Sequence, residues 1–383
     1  MSRLGPEKAI HVAVVGLGGV GKELMKQLIE LPYPINIAAI SNSRKMLLFT
    51  DGTTSFNSSQ WATALDAADA PDTNLDVLRD ALGALAKRNT NKAVLVDNTS
   101  SEVVANAYPK FLDAGIHVVT PNKKAFSGDL SLYKRLIGGS GGSGGTGLPR
   151  GVFYNESTVG AGLPIISTLK DLVDTGDKAC LFFGQVKKIE GVFSGTLSYI
   201  FNEYSKGEEG GPSFSSIVEI AKANGYTEPH PGDDLNGADV ARKLTILSRM
   251  LPGLLERLPN GHVDVQPTSL VPEALRDANA QEFMQRLPEF DYDIAHKRDE
   301  AARRGSVLRY VGVIEVSEGQ GKVEAKLEEY PKTHAFATSL QGSDNIIMFH
   351  TERYGGRPLL IQGAGAGNAV TAMGVMSDLL KLF

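Results

Sequence analysis

The sequence predicts an α/β protein: a Rossmann-type nucleotide-binding domain and an α+β domain with a mixed sheet. The first observation is GLGGVG at Gly16–Gly21, which follows an apolar strand at His11–Val15 and opens a helix at Lys22–Glu30. The second is a group of late segments with the alternation typical of strands: Arg309–Val316, Lys322–Leu327 and Asn345–His350. With 383 residues, 42% of them hydrophobic, the chain can build two cores.

The composition excludes several classes of function. The net charge of −5 without a basic stripe argues against nucleic acid as a partner. The single cysteine, Cys180, rules out an intramolecular disulfide and a multi-cysteine zinc site, and fits a reducing compartment. No signal peptide and no apolar run long enough to cross a membrane can be recognised. We therefore expect a soluble, cytoplasmic protein that does not contact a membrane.

The glycine run fits a dinucleotide-binding loop. Gly16 permits the tight turn after the strand, Gly18 lets the backbone approach a pyrophosphate, and Gly21 lets the helix pack on the strand. Leu17, Gly19 and Val20 complete the loop, and the helix N-terminus supplies amide donors to the phosphates.

The second strand, Ile35–Ile40, indicates which dinucleotide is bound. It ends in Ser41 and a basic loop containing Arg44, without the acidic residue that usually holds the ribose 2′-hydroxyl of NAD. NADP(H) is therefore favoured and NAD(H) remains possible. The alternative is that these loop residues are exposed to solvent and do not contact a cofactor.

Two later strands end in polar clusters. Ala93–Val96 leads to Asn98, Thr99 and Ser100, and Ile116–Val119 leads to a pair of lysines that begins with Lys123. Ligands of open α/β sheets bind at such carboxyl ends, so these clusters are candidates for cofactor contacts. A flexible Gly/Ser surface loop is expected at 138–147.

The second half begins with a predicted strand at Val152–Tyr154, a glycine-rich bend after Glu156, and a helix at Ile165–Val173. Such a bend beside a carboxylate can present backbone carbonyls to a hard cation, or can be a plain strand-to-helix turn. Another strand is expected at Ile189–Phe193.

The segment Gly225–Lys243 concentrates carboxylates around a lysine. A helix is predicted over Asn236–Arg249, with Asn236 as its cap, so Asp239 and Lys243 lie four residues apart on one face. Because the neighbouring residues are apolar or small, we expect this pair to be buried rather than a surface ion pair. Such a cluster suits a pocket that holds an ammonium-bearing substrate and moves a proton.

The chain ends with a predicted strand at Pro358–Gln362, the run GAGAGN at Gly363–Asn368, and a helix at Ala369–Leu382. We expect the helix to return to the first domain, with Gly365 allowing close approach to the cofactor. A second dinucleotide site is the less favoured interpretation.

Five ordered motifs together resemble homoserine dehydrogenase, most closely its fungal, monofunctional form. They are VDNTSS (96–101), TPNKKAF (120–126), ESTVGAGLPI (156–165), EGVFSGTLSYIFN (190–202) and GYTEPHPGDDLNGADVARK (225–243). The resemblance implies reversible NAD(P)H-dependent reduction of L-aspartate 4-semialdehyde to L-homoserine, in threonine, methionine and isoleucine biosynthesis. No regulatory ACT domain and no aspartokinase domain are expected.

The resemblance also assigns residues. Lys243 would be the acid/base, Asp239 would orient it or the substrate, and Lys123 could share the proton role. Glu228 and Asp234 would bind the substrate ammonium, with Gly225, Tyr226 and Thr196 lining the pocket. Glu156 and the carbonyls of Val159, Ala161 and Leu163 would hold a monovalent cation such as sodium.

The implied domains are a nucleotide-binding domain at 1–155 and 357–383 and a catalytic domain at 156–356. Strands at about 305–356 would form the interface of a homodimer. One departure from the family pattern is an apolar insert between Asp177 and Lys187 that contains Cys180.

Two alternatives remain. An aspartate-semialdehyde dehydrogenase shares the substrate but needs a nucleophilic cysteine, and Cys180 is badly placed for that role. A non-catalytic NADP-sensing protein would keep the glycine loop and lose the lysines or carboxylates, which are present here.

Overall fold

The computed structural model describes residues 10–49, 60–66, 71–87, 92–138, 149–176, 186–316 and 321–383. It consists of two compact units, Met1–Gly162 with Gly367–Phe383, and Leu163–Ala366. The expected boundaries lay between residues 155 and 156 and between 356 and 357, so both differ from those of the structure. The second boundary lies later because the last strand pairs within the sheet of the second unit. The expected Gly/Ser loop after Gly138 and the insert with Cys180 lie outside the described residues.

The first unit contains a six-stranded sheet in the order β3-β2-β1-β4-β5-β6. Its strands are β1 (Ile10–Val15), β2 (Ile35–Ser41), β3 (Met46–Leu48), β4 (Lys92–Asp97), β5 (His117–Val119) and β6 (Phe153–Tyr154). All pairings are parallel except that of the edge strand β3 with β2. The chain runs outwards from β1 to β3 and returns to the other side of β1 as β4. This reversal creates a switch point at the carboxyl ends of β1 and β4, and confirms the Rossmann-type prediction.

Helices pack against this sheet and enclose its core. They are α1 (Gly19–Glu30), α2 (Gln60–Asp66), α3 (Leu75–Ala86), α4 (Glu102–Asp113), α5 (Lys124–Ser127) and α6 (Leu130–Ile137). The first helix begins at Gly19, earlier than predicted, because the Lys22 N–H already donates to the Gly18 carbonyl oxygen. The C-terminal helix (Asn368–Leu380) returns to this unit as expected, and buries Val375 beside Val12 and Leu24.

The second unit contains a five-stranded sheet in the order β11-β10-β7-β8-β9. Its strands are β7 (Val186–Val192), β8 (Ser306–Glu315), β9 (Lys322–Pro331), β10 (Asp344–Thr351) and β11 (Leu359–Ala364). Every described pairing in it is antiparallel, so the mixed parallel and antiparallel sheet is that of the first unit. This corrects the expectation for the second domain, whose adjacent strands need no parallel crossover helix.

The helices of the second unit include the one predicted to carry the lysine. They are α7 (Ile165–Asp174), α8 (Gly195–Tyr204), α9 (Phe214–Ala223), α10 (Gly232–Leu235), α11 (Ala238–Ser248), α12 (Ala280–Arg286), α13 (Asp291–Arg303) and α14 (Ala335–Thr338). The C-terminal helix of the first unit is α15. The cap of α11 is Gly237 rather than Asn236, whose side chain instead accepts the Ala238 N–H at 2.8 Å. Within the described part of the chain, no helix has the length and apolar character needed to span a membrane.

Candidate active site

The glycine loop of the first unit has the geometry that its sequence predicts. Gly16 has a φ of +88°, a conformation that favours glycine, and its N–H donates to the Ser41 carbonyl oxygen at 2.8 Å. A Cβ on Gly21 would come within 2.0 Å of the Gly16 carbonyl oxygen, so α1 can pack here only with glycine. A Cβ on Gly18 would meet nothing within 4 Å, and the backbone at this position is open to a ligand. Leu17 and Val20 are half-buried, whereas Gly18 and Gly19 are exposed.

Asn98 supplies an unpartnered amide next to this loop. Its backbone N–H donates to the Val15 carbonyl oxygen, which places the side chain after β4 and beside the end of β1. Both Nδ2 and Oδ1 are buried without a hydrogen-bond partner. Because buried polar groups are normally satisfied, this amide fits a site completed by a polar cofactor. Thr99 uses its hydroxyl to accept the Ser101 N–H, and Ser100 is exposed.

A buried network holds the two loops that follow β4 and β5. Asp97 accepts from the Thr99 N–H at 2.8 Å, the Tyr108 hydroxyl at 2.5 Å and the Asn122 amide at 3.0 Å. Thr120 donates to the Asp97 carbonyl oxygen at 2.7 Å. Burial raises the pKa of the Asp97 carboxyl, against the hydrogen bonds that it accepts. Sequence reasoning missed this network, because nothing local pairs Tyr108 with Asp97.

Lys123 lies directly after this network. Its backbone carbonyl accepts from the Ser127 hydroxyl at 2.9 Å, and it occupies the residue before α5. Its neighbour Asn122 anchors the turn by donating to Asp97 and to the Ser101 carbonyl oxygen. The position of the lysine backbone is therefore set by the Asp97 network, and its side chain is half-buried.

The loop after β2 separates a structural serine from an exposed arginine. The Ser41 hydroxyl is fully buried and lies within 3.2 Å of the Asn42 and Lys45 carbonyl oxygens and of the Thr73 hydroxyl. Arg44 is exposed, and its N–H donates to the Asn42 side chain at 2.8 Å. The Ser41 hydroxyl is thus occupied by local hydrogen bonds, whereas the Arg44 guanidinium is exposed and available to a phosphate.

Packing against a neighbouring side chain explains why residue 365 is a glycine. It belongs to the second unit, where a Cβ at this position would lie 2.0 Å from the Asn345 side chain. Asn345 is itself buried and donates to the Phe193 carbonyl oxygen at 2.9 Å. The close approach expected at Gly365 therefore takes place with Asn345, and the cofactor is not needed to explain the glycine.

The predicted lysine–aspartate pair forms on α11. The Lys243 ammonium lies 2.7 Å from the Asp239 carboxylate and donates to the Phe193 carbonyl oxygen at 2.7 Å. The side chain of Lys243 is 8% exposed, and that of Asp239 is 44% exposed. The lysine is therefore fixed in a mostly buried position, whereas Asp239 is only half-buried, so the expectation of a buried pair is correct only for the lysine. The contribution of Phe193 could not be read from the sequence, because it comes from the residue after β7 and not from the helix.

The acidic residues before α11 form a second part of the same site. The Thr196 hydroxyl lies 2.9 Å from the Asp234 carboxylate and 2.6 Å from the Tyr226 carbonyl oxygen, and the Glu228 N–H donates to Asp234 at 2.8 Å. Burial raises the pKa of Asp234, and the nearby carboxylates of Glu228 and Asp239 raise it further, against the two hydrogen bonds. A cationic ligand would relieve this repulsion, so the cluster fits a substrate ammonium. Gly225, with a φ of +73°, turns the chain into this cluster.

The glycine-rich bend that was expected to hold a cation is strongly turned. Gly160 and Ala161 have φ values of +79° and +54°, and Val159 is buried. Leu163, the first residue of the second unit, already accepts the Ile165 N–H at its carbonyl oxygen. No group of three His, Cys, Asp or Glu side chains that could hold a metal occurs in the described ranges, so such a site would depend on backbone oxygens.

The carboxylate of this bend already has a cationic neighbour. The Lys381 ammonium lies 3.4 Å from Glu156 and 2.7 Å from Asp378, which in turn accepts the Glu156 N–H at 2.8 Å. The donor set fits a monovalent cation only if that ion shares Glu156 with the lysine. The sequence carried no signal for this contact, because the whole of the second unit separates Glu156 from Lys381 in the chain.

Comparisons with known proteins agree with this geometry. Family models match residues 164–380 (homoserine dehydrogenase) and 16–144 (homoserine dehydrogenase, NAD binding domain). A homoserine dehydrogenase of Schizosaccharomyces pombe is 46% identical over 97% of this chain and 95% of its own length. A crystal structure of a Candida auris protein of unknown function matches with a TM-score of 0.86 at 40% identity, covering 98% of both chains. A hyperthermophilic archaeal homoserine dehydrogenase in complex with NADPH has the same fold, with a TM-score of 0.63 at 21% identity over 98% of this chain and 97% of that one.

Proposed function

This chain belongs to the homoserine dehydrogenase family, and from that premise we propose how its own residues carry out the reaction. It is an NAD(P)-dependent oxidoreductase that interconverts L-aspartate 4-semialdehyde and L-homoserine. The full-length similarity to a homoserine dehydrogenase does not favour the aspartate-semialdehyde dehydrogenase or NADP-sensing alternatives. Its relatives include fungal homoserine dehydrogenases, and we propose a role in threonine, methionine and isoleucine biosynthesis for this chain.

The observation that carries the mechanism is the buried Lys243 beside the acidic cluster. The bound nicotinamide cofactor supplies the hydride. Lys243 stabilises the negative charge that develops on the substrate oxygen and then protonates it. Asp239 holds the lysine side chain in place at 2.7 Å. Lys123 is the second candidate for the proton carrier, supported by its fixed backbone next to the Asp97 network.

The acidic cluster orients the substrate. We propose that Asp234 and Glu228 bind its ammonium group, with Thr196, Tyr226 and Gly225 lining the same pocket. The support is the mutual repulsion of these carboxylates, which a cationic group would neutralise. Fixing the amine also fixes the distance from the substrate oxygen to the lysine, which lowers the entropic part of the barrier.

We propose that the glycine loop, Asn98, Thr99 and Ser100 hold the dinucleotide, with NADP(H) preferred. The exposed Arg44 after β2 supports this preference, since a guanidinium can bind a 2′-phosphate in two hydrogen bonds. The substitution Arg44→Ala should weaken NADPH binding and leave NADH binding unchanged in a fluorescence titration. Equal affinities of the variant and the unmodified protein for NADPH would contradict this assignment.

Three further properties belong to the proposal. A sodium ion would sit at Glu156 and the carbonyls of Val159, Ala161 and Leu163, supported by the turned backbone of this bend. A homodimer through the strands of about 305–356 and a cytoplasmic location are supported by the family resemblance and, for the latter, by the single cysteine.

The test of the proposed function is the absorbance of NADPH formed from NADP⁺ and L-homoserine by the purified chain. We expect the band to grow with L-homoserine and not with D-homoserine, with or without phosphate. Growth only with aspartate semialdehyde and phosphate would instead establish the aspartate-semialdehyde dehydrogenase activity. A chain that binds NADPH without turning over either substrate would be a sensor.

A further inference from the structure

Asn368, the first residue of α15, lies directly against the glycine loop within the first unit. A Cβ built on Gly19 would come within 2.4 Å of the Asn368 Nδ2 and within 2.6 Å of its Oδ1. Gly19 is the first residue of α1, so the asparagine amide occupies the space beside the helix N-terminus that faces the dinucleotide. None of the motifs considered above gives this asparagine a role.

The position of Asn368 is set by a well-anchored helix. Gln27 of α1 donates to the Ala369 carbonyl oxygen at 3.3 Å, and Ser157 donates to the Thr371 carbonyl oxygen at 3.0 Å. Apolar side chains of the same helix lie in the core of the first unit: Ala372, Val375, Met376 and Leu379. The amide is therefore presented to the loop by rigid structure.

The side chain of Asn368 is available to a ligand. It is exposed, and no residue of the described ranges forms a hydrogen bond with its amide. Asn98 provides a second, independent indication of a ligand, because its buried amide is also unpartnered and its Nδ2 lies 3.7 Å from a Cβ position on Gly21. Two unpartnered asparagine amides thus lie next to one glycine loop, whose backbone at Gly18 is open.

We propose that Asn368 is a cofactor-binding residue whose side-chain N–H donates to the pyrophosphate of the dinucleotide. This inference rests on the proposed function, since it requires that the glycine loop holds a nicotinamide dinucleotide. A neutral amide is a suitable donor to a phosphate oxygen at this position, because it adds a hydrogen bond without a charge that would have to be buried. The contact involves a group common to NADPH and NADH, so it strengthens the binding of both cofactors alike.

The test compares Asn368→Ala and Asn368→Asp by titration of the full chain with NADPH and with NADH, following nucleotide fluorescence. We expect Asn368→Ala to raise both dissociation constants by about tenfold, the loss of one hydrogen bond to a charged group. Asn368→Asp should raise them further, because a carboxylate cannot donate and repels the pyrophosphate. An aspartate in the first turn is favourable for a helix, so this variant should not loosen α15.

Asn106→Asp is the matched control, because Asn106 is an exposed asparagine on α4 of the same unit. It should bind both cofactors like the unmodified chain, and all variants should unfold at the same temperature without nucleotide. If Asn368→Asp unfolds early, Asn368→Ala carries the comparison, because alanine also lacks a donor.

Unchanged dissociation constants in the Asn368 variants would overturn the inference, as would a loss confined to NADPH, which would place the residue at the 2′-phosphate. Failure of the unmodified chain to bind NADPH would refute the proposed function itself, and the two failures are therefore distinguishable.

Discussion

The Lys243 ammonium lies 2.7 Å from both the Phe193 carbonyl oxygen and the Asp239 carboxylate. These contacts come from different sources, since Asp239 is one turn away on α11 and Phe193 follows β7. The carbonyl and the carboxylate together fix the position of the ammonium. A lysine held in this way fits the proposed role of stabilising an alkoxide.

The first prediction concerns this lysine. Lys243→Met should lower kcat by at least about 100-fold, because the general acid is lost while the volume of the side chain is nearly kept. NADPH affinity should be unchanged, since the glycine loop belongs to the other unit. Lys222→Met on α9, an exposed lysine, is the control for the assay. Near-normal turnover of Lys243→Met would show that Lys123 or another group carries the proton.

At the scale of single elements, the start of α11 decides where the lysine–aspartate pair lies. Gly237 has a φ of +76°, and a Cβ on it would lie 2.1 Å from the Tyr310 hydroxyl. That hydroxyl donates to the Thr268 carbonyl oxygen at 2.9 Å. The chain can therefore turn sharply from α10 into α11 only at a glycine. The turn makes Asp239 the second residue of α11.

The second prediction follows from this turn. Gly237→Ala should lower the free energy of unfolding by about 1–2 kcal/mol for the left-handed backbone and by about 1–3 kcal/mol more for displacing Tyr310. Turnover should fall as well, because Asp239 and Lys243 move with the helix. Gly253→Ala is the matched control, since Gly253 has a φ of +86° with open space around its Cβ position, and only the backbone contribution applies. Equal urea midpoints for the two variants would contradict the prediction.

The third prediction concerns the pairing of β5 with β6. The Val152 N–H donates to the Nδ1 of His117 at 3.1 Å, which requires a neutral ring. Burial and, to a lesser extent, the charge of Lys92 lower the pKa of His117 from 6.5 to about 4. Because the folded pKa is depressed, this stabilisation is present above pH 6.5 and is lost as the pH falls towards 4.

The corresponding experiment measures urea unfolding of the protein and of His117→Gln above pH 6.5 and near pH 4. The unmodified chain should lose about 1–3 kcal/mol more than the variant over this interval, because glutamine can accept the same N–H without titrating. Parallel pH profiles for the two proteins would exclude this role for His117.

At the scale of the whole molecule, the candidate site residues are divided between the two units. The first holds the glycine loop, Asn98 and the Asp97 network, and the second holds the acidic cluster and Lys243. The sheet of the second unit ends in the edge strands β9 and β11, and β11 carries the exposed Leu360. Edge strands of this kind are usually covered, and association with a second copy is one way to do so.

The fourth prediction is therefore that the protein is a homodimer in solution. Light scattering after size exclusion should give about twice the chain mass of 40.9 kDa, independent of dilution over the micromolar range. A mass equal to that of one chain, together with full activity, would contradict the proposed dimer.

Sequence reasoning was most successful where the signal is local. The spacing of Asp239 and Lys243 placed both on one helix face, and the strand–glycine loop–helix order located the dinucleotide loop. It was less successful at boundaries, as with the cap of α11, because Gly237 and Asn236 both suit a helix start and only the contact with Tyr310 distinguishes them.

The sequence by itself thus determined the Rossmann-type domain, the glycine loop and the lysine–aspartate pair, because turns and helix faces depend on neighbouring residues. The tertiary structure alone decided which distant groups complete these parts. Packing brings Tyr108 to Asp97, Lys381 to Glu156 and Asn368 to Gly19. No periodicity links such positions, since their proximity arises only when sheet and helices assemble into one core.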